Sequence, residues 1–171
     1  MIDTGLSGKV VLVTGADGGI GEATARAFAA QGARVAVHHH DGGVPAPEGV
    51  SFEHRLGDAE AAARAVVNIS TDAAQCFPGQ VGYGSSKAAL EAFTRAAAVE
   101  LGPAGIRVNA VAPGPVQTGW MSGELVESLL PHLPLGRVGR PSDIADAVVF
   151  LASGQASWLT GQVIKVSGGH H

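Results

Sequence analysis

Lys9-Val-Val-Leu-Val-Thr14, followed by Gly15-Ala16-Asp17-Gly18-Gly19-Ile20-Gly21, is the stretch on which the fold turns. The first six residues are mostly apolar and β-branched, the composition of a strand buried in a parallel sheet. The run ends in glycines. Beyond them Ile20, Ala23, Ala27 and the adjacent Phe28 mark one side of a helix that Gly32 closes as a left-handed cap. A tight turn needs glycine, and bare backbone N–H groups there can approach a diphosphate, whose charge the positive end of the helix dipole favours. The spacing is not a P-loop, because no Gly-Lys-Ser/Thr follows. It is not G-x-G-x-x-G either, because these glycines run G-x-x-x-G-x-G. An ordinary glycine-rich turn between strand and helix is the bland alternative, and the rest of the chain decides between them.

Outward from this unit, strands are expected at 34–37, 50–53, 66–70, 106–111 and 162–166. Helices are expected at 58–65, 85–101 and 142–152. In the 85–101 helix, Leu90, Phe93, Ala97 and Leu101 form the apolar stripe, and Glu91 with Arg95 makes an outward i,i+4 pair. Strands alternating with helices imply a parallel sheet in a single α/β domain over residues 1–171. One junction breaks the pattern. The helix-forming DAEAAARA (58–65) runs into VVNIS (66–70) with no turn residue between them, where a loop of ~2–6 residues is usual.

Composition narrows the function. Of 171 residues, 46% are hydrophobic and 15% charged, enough apolar content for a core. The lone Cys76 cannot form an internal disulfide, and the net charge of −4 offers no basic footprint for nucleic acid. No apolar run approaches the ~18 residues of a membrane span, and the N-terminus lacks a signal layout. The expectation is a cytoplasmic protein with no nucleic-acid or membrane partner.

Tyr83 is the only tyrosine, and Lys87 lies four residues later, on the same face at the start of a helix. A phenol is a poor base near its ordinary pKa of ~10, and an adjacent ammonium lowers it. Ser70 ends the preceding strand, at the carboxyl edge where open α/β sheets bind ligands. Its hydroxyl suits the polarising of a carbonyl.

With these residues in order, the chain resembles the short-chain dehydrogenase/reductase family. TGADGGIG (14–21) resembles the TGxxxGxG cofactor turn, and Tyr83-Gly-Ser-Ser-Lys87 resembles YxxxK. Ser70, thirteen residues before Tyr83, matches the family serine. Asn109 through Pro113-Gly114 to Thr118 matches the proline-glycine segment, and Leu159-Thr160-Gly161-Gln162 through Gly168-Gly169 is also similar. The resemblance implies a Rossmann-type, doubly wound parallel sheet, and hydride exchange between NAD or NADP and a small carbonyl/alcohol substrate. It implies Tyr83 as proton donor and acceptor and Ser70 as holder of the substrate oxygen. Lys87 would bind ribose and lower the phenol's pKa. Thr14, Gly15, Asp17, Gly19, Ile20, Gly21, His39, Pro113, Gly114, Val116 and Thr118 would complete the cofactor site. Thr71 follows Ser70 where many relatives carry a second serine.

The same comparison explains the faulty junction. Between the third and fifth strands the family carries a helix, a strand ending in Asn-Asn-Ala-Gly, and a helix with a catalytic asparagine. None is visible at 65–66, a deficit of roughly one to two strand–helix units. Two outcomes are expected. Either 65 and 66 flank an omitted segment, or a continuous chain pairs strand 66–70 directly with strand 9–14. A catalytically impaired remnant, binding nucleotide or serving assembly, is the alternative function. Loss of the helix that covers Leu90, Phe93 and Ala97 predicts homo-oligomerisation.

His38, His39 and His40 end the second strand, where an acid would favour NAD; with His39 at that position, NAD and NADP stay open. Neighbours on a strand point to opposite faces, so at most two of the three converge on a metal, and no metal site is expected. Residues 119–133 resemble the family's variable substrate loop. Trp120, Met121, Leu129 and Leu130 suit an apolar carbonyl compound or simple core packing equally.

Overall fold

The computed structural model describes residues 3–16, 18–38, 64–74 and 78–170. The expected strand at 50–53 and residues 58–63 of the expected helix, with Asp17, His39, His40 and Cys76, lie outside the described residues, whereas Ala65, expected to end that helix, opens a strand because its backbone pairs in register with Arg107. Within them are five parallel strands and four helices. The strands are β1 (Val10–Thr14), β2 (Arg34–His38), β3 (Ala65–Ile69), β4 (Arg107–Pro113) and β5 (Val163–Val166). The helices are α1 (Gly19–Ala30), α2 (Val81–Leu101), α3 (Gly123–Leu129) and α4 (Pro141–Ala152). The chain has the α/β, Rossmann-type architecture, and it is cut into two sheets, β1-β2 and β3-β4-β5.

Alternation along the strands sorts the two faces. Val11 and Val13 of β1, Val67 and Ile69 of β3 and Val111 of β4 join a core with Phe28 of α1 and Ile144, Val148 and Leu151 of α4. Val66 and Val108 point the other way, into a smaller cluster with Ala97 and Ala98 of α2. Helices therefore lie on both faces of the three-stranded sheet, which makes it doubly wound. Arg107, at the start of β4, fastens the layers by donating to the Leu151, Ala152 and Ser153 carbonyls at 2.6, 3.3 and 3.2 Å. These are carbonyls that the end of α4 cannot satisfy internally.

Residues 65 and 66 are consecutive in β3, in register with Arg107 and Val108. The chain runs through that junction within a single strand. The expected direct pairing of this strand with 9–14 fails, because β1 pairs with β2 and not with β3. A physical reason lies in the helix layer. α1 and α4 pack against one another across the core that the two sheets share. Packed helices sit ~8–10 Å apart, about two strand spacings of ~4.8 Å, so the helix pair holds room for one more strand. Among the described residues no hydrogen-bonded strand joins β1 to β3, where the sequence comparison puts the missing strand.

The phase of α2 also differs from expectation. Its buried residues are Gly84, Glu91, Thr94, Ala97 and Ala98, whereas Phe93 is 59% exposed. The inward face is a polar seam onto β3. Lys87 Nζ donates to the Ile69 carbonyl at 2.8 Å, Ser70 Oγ to Glu91 Oε1 at 2.8 Å, and Asn68 Nδ2 to Thr94 Oγ1 at 3.0 Å. Partnered polar groups take the buried face, which turns Phe93 out. Glu91 keeps Arg95 at 3.6 Å but is buried, and so is not an outward pair.

Candidate active site

The glycine turn leaves β1 at its carboxyl end. Gly15 has φ +67° and donates its N–H to the His38 carbonyl at 2.8 Å, which ties the turn to the end of β2. A Cβ on Gly21 would run into the Gly15 carbonyl, and one on Gly19 (φ +55°) would meet Thr118 Cγ2 at 3.1 Å. The turn is thus bare backbone at the N-terminus of a 12-residue helix. Its first N–H groups have no acceptor within the helix.

The Gly19–Thr118 approach also fixes the edge. Thr118 lies beyond the carboxyl end of β4, as Gly19 lies beyond that of β1, so the two sheets present the same edge. Pro113 ends β4 there, Gly114 donates its N–H to the Val166 carbonyl at 3.1 Å, and a Cβ on Gly114 would lie 2.7 Å from Ser167 Cα. Val116, buried, forms a bridge with Gly139. Lys87 meets the end of β3 through the Ile69 carbonyl, and its Nζ stands 5.8 Å from the Tyr83 ring centroid. Tyr83, in the first turn of α2, is exposed. Gly19 and Lys87 therefore share one edge of the molecule. Thr14 closes β1 and Ile20 lies in the first turn of α1, packed partly against the core.

Ser70 is buried, with its hydroxyl on Glu91 rather than open to the edge. Thr71, partly buried, follows it; its Oγ1 accepts the Ala73 N–H at 3.3 Å and stands 3.5 Å from Asp72 Oδ1. Asp72 Oδ2 meets His170 Nδ1 at 2.7 Å, which joins the end of β3 to the segment after β5. Among the described residues there is no cluster of three or more metal-ligating side chains. No described helix is long and apolar enough to cross a membrane. In the loop after β4, Met121 and Leu133 pack inward while Trp120 is exposed.

Sequence reasoning gives Glu91 only an outward pair with Arg95 and misses its buried bond to Ser70, as it misses the Asp72–His170 contact. The signal for Glu91 was its spacing, since residues 83, 87 and 91 share one helical face. Asp72 and His170 are 98 positions apart and left no local trace.

Residues 9–46 match the short chain dehydrogenase family model, and residues 52–171 match that of enoyl-(acyl carrier protein) reductase. The uncharacterized oxidoreductase YjdA of Bacillus subtilis is 48% identical over 93 residues, 54% of this chain and 37% of its own length. The 3-oxoacyl-[acyl-carrier-protein] reductase FabG of Chlamydia muridarum is 45% identical over 109 residues, 61% of this chain and 44% of its own. The chain thus spans about two fifths of the length of the curated relatives it matches. A solved structure of a short chain dehydrogenase/reductase family protein superposes with a TM-score of 0.79 at 32% identity, covering 96% of this chain and 97% of that one. Another, described as a betaketoacyl-ACP reductase, gives 0.82 at 31%, covering 96% and 98%. The bare-glycine turn, the tyrosine–lysine pair on α2 and these matches converge: the chain belongs to the short-chain dehydrogenase/reductase family of oxidoreductases.

Proposed function

We propose that this chain is an NAD(P)-dependent oxidoreductase that interconverts a carbonyl and an alcohol. The observation that carries this reading is the convergence of the Gly15–Gly21 turn, Thr118 and Lys87 on one carboxyl edge. The turn fits a dinucleotide, since Gly15 and Gly18 face open space beside bare backbone at the N-terminus of α1. Gly15, Gly19, Ile20 and Gly21 would hold the diphosphate, with Thr14 beside it, Lys87 would bind a ribose, and Pro113, Gly114, Val116 and Thr118 would serve the carboxamide end. Asp17 and His39 are assigned to the cofactor by their place in the family's sequence pattern, His39 at the position that separates NAD from NADP. A bound nicotinamide supplies or accepts the hydride.

The chain's own residues manage the oxygen and its proton. Tyr83 donates the phenolic proton to the substrate oxygen in reduction and takes it back in oxidation. Lys87, whose Nζ lies 5.8 Å from the centre of the Tyr83 ring, is placed to bind a ribose hydroxyl beside it. A hydroxyl at the end of β3 holds the oxygen in place. The FabG relatives support a 3-oxoacyl thioester as the substrate class, and exposed Trp120 offers it an apolar wall. Uncovered Val10, Leu12 and Phe93 support homo-oligomerisation, which light scattering across a wide concentration range checks; a monomer throughout would count against it.

Tyr83→Phe tests the central assignment. Turnover of acetoacetyl-CoA with NADPH or NADH should fall by roughly 100- to 10,000-fold, the usual worth of a general acid, while cofactor affinity by fluorescence titration is retained. Equal loss of binding would contradict the role. The gap between β1 and β3 supports a second reading, a nucleotide-binding or assembly module without turnover. Cofactor binding by a wild-type chain that turns over no carbonyl would select it.

A further inference from the structure

We propose that Thr71, and not Ser70, presents the hydroxyl that holds the substrate oxygen; the inference rests on the oxidoreductase reading above. Ser70 is only 3% exposed. Its N–H continues the β3 ladder onto the Val111 carbonyl at 2.7 Å, and its side chain lies on the α2 side of the sheet. A serine hydroxyl has one hydrogen to give, and here it goes to Glu91 Oε1 at 2.8 Å. Turning it toward a substrate would leave the carboxylate of Glu91, itself 7% exposed, with the Arg95 guanidinium at 3.6 Å as its remaining cation. A buried acceptor stripped of its donor is costly.

Thr71 is arranged in the opposite sense. It is the first residue past the ladder, at the carboxyl edge shared with the glycine turn and Lys87. Its oxygen is anchored through a lone pair, by the Ala73 N–H at 3.3 Å, and its hydrogen is left over. The nearest acceptor, Asp72 Oδ1, is at 3.5 Å, beyond the 2.5–3.0 Å that an O–H···O bond normally spans, and the other oxygen of Asp72 is engaged by His170 at 2.7 Å. Thr71 therefore has a hydrogen to donate, and Ser70 does not. In reduction it steadies the charge that gathers on the carbonyl oxygen and keeps its own proton, while Tyr83 supplies the one transferred. Ser70 and Glu91 form a strap that fixes β3 to α2.

The test compares Thr71→Val, Thr71→Ser and Ser70→Ala by turnover of a ketone panel that includes acetoacetyl-CoA, with NADPH and NADH, and by thermal melting. Thr71→Val should lose about 100-fold or more in kcat at unchanged cofactor affinity, with a melting temperature lowered only by the roughly 2–4 °C that one lost hydrogen bond to the Ala73 N–H explains, and Thr71→Ser should recover to within about tenfold. Ser70→Ala should melt roughly 2–4 °C lower yet turn over normally below its transition. Wild-type kcat in Thr71→Val would overturn the assignment, as would a 100-fold loss in Ser70→Ala at unchanged melting temperature. A wild-type chain inactive on the whole panel would instead overturn the oxidoreductase reading itself, and with it this one.

Discussion

The two sheets are held in different ways. In the three-stranded sheet β4 is buried from 108 to 113, paired on both edges, and the polar seam from Asn68, Ile69 and Ser70 fastens β3 to α2. In the two-stranded sheet Val11 and Val13 join the core, but Val10 and Leu12 are 68% and 64% exposed on the opposite face. Among the described residues, the part carrying Tyr83 and Lys87 is thus covered by helices on both faces, and the part carrying the glycine turn on one. What joins them is the helix layer, α1 on α4, and not the hydrogen-bond ladder. A Rossmann-type sheet can lose a central strand and keep its carboxyl edge aligned, provided the helices over the gap stay packed.

Removing that support should have the largest effect. Ile144 of α4 is fully buried in the core common to both sheets. Ile144→Ala should cost about 2–5 kcal/mol in urea denaturation and loosen the β1-β2 part first. A loss confined to β3-β4-β5 would break the comparison. Arg107→Ala comes next, at roughly 1–3 kcal/mol, since it takes a guanidinium from the last carbonyls of α4. Burial already pulls the pKa of Arg107 below its ordinary value, so a lysine there should recover only part of the loss. Because α4 serves both sheets, probes in each should shift together.

The smallest effect lies at the other end of α4. Asp143 accepts from the Arg137 guanidinium at 2.6 and 2.9 Å and from the Arg140 N–H at 2.7 Å, and the Arg137 hydrogen bond does most to hold its pKa at about 2, against an ordinary 3.8. A depressed folded pKa means this contribution is complete above pH 3.8 and is lost as pH falls through about 2. The pair is largely exposed and screened by solvent, so the change is slight. Asp143→Asn should flatten the stability profile across that window, lie slightly below the wild type at neutral pH and meet it at the acid end; equal slopes in both proteins would contradict the role.

The sequence made the parallel strands and the glycine turn legible because both rest on short-range patterns. KVVLVT and the positive-φ glycines at 15, 19 and 32 have few other uses. It also exposed the deficit before β3, as a helix-forming run meeting a strand without a turn. The phase of α2 was not legible from apolar spacing. Glu91 and Thr94 are buried because Ser70 and Asn68 satisfy them from another element, and no window along the helix contains those partners. Propensity puts the start of α2 at 85, four residues after Val81, because Gly82 and Gly84 disfavour helix. Packing on β3 overrides it. Direct β1–β3 pairing was the simplest repair of the deficit when strands alone were considered. The separation of α1 and α4 decides otherwise, and it is a tertiary quantity.

Amide hydrogen exchange along β1 tests the central claim most directly. Lys9 accepts from the Arg34 N–H and Gly15 donates to the His38 carbonyl, so odd-numbered residues of β1 face β2, and Val10 and Leu12 turn their N–H groups toward the gap. The account predicts slow exchange at Val11 and Val13 and fast exchange at Val10 and Leu12. Equal, strong protection at all four would mean that a strand occupies the gap and that the two sheets are one.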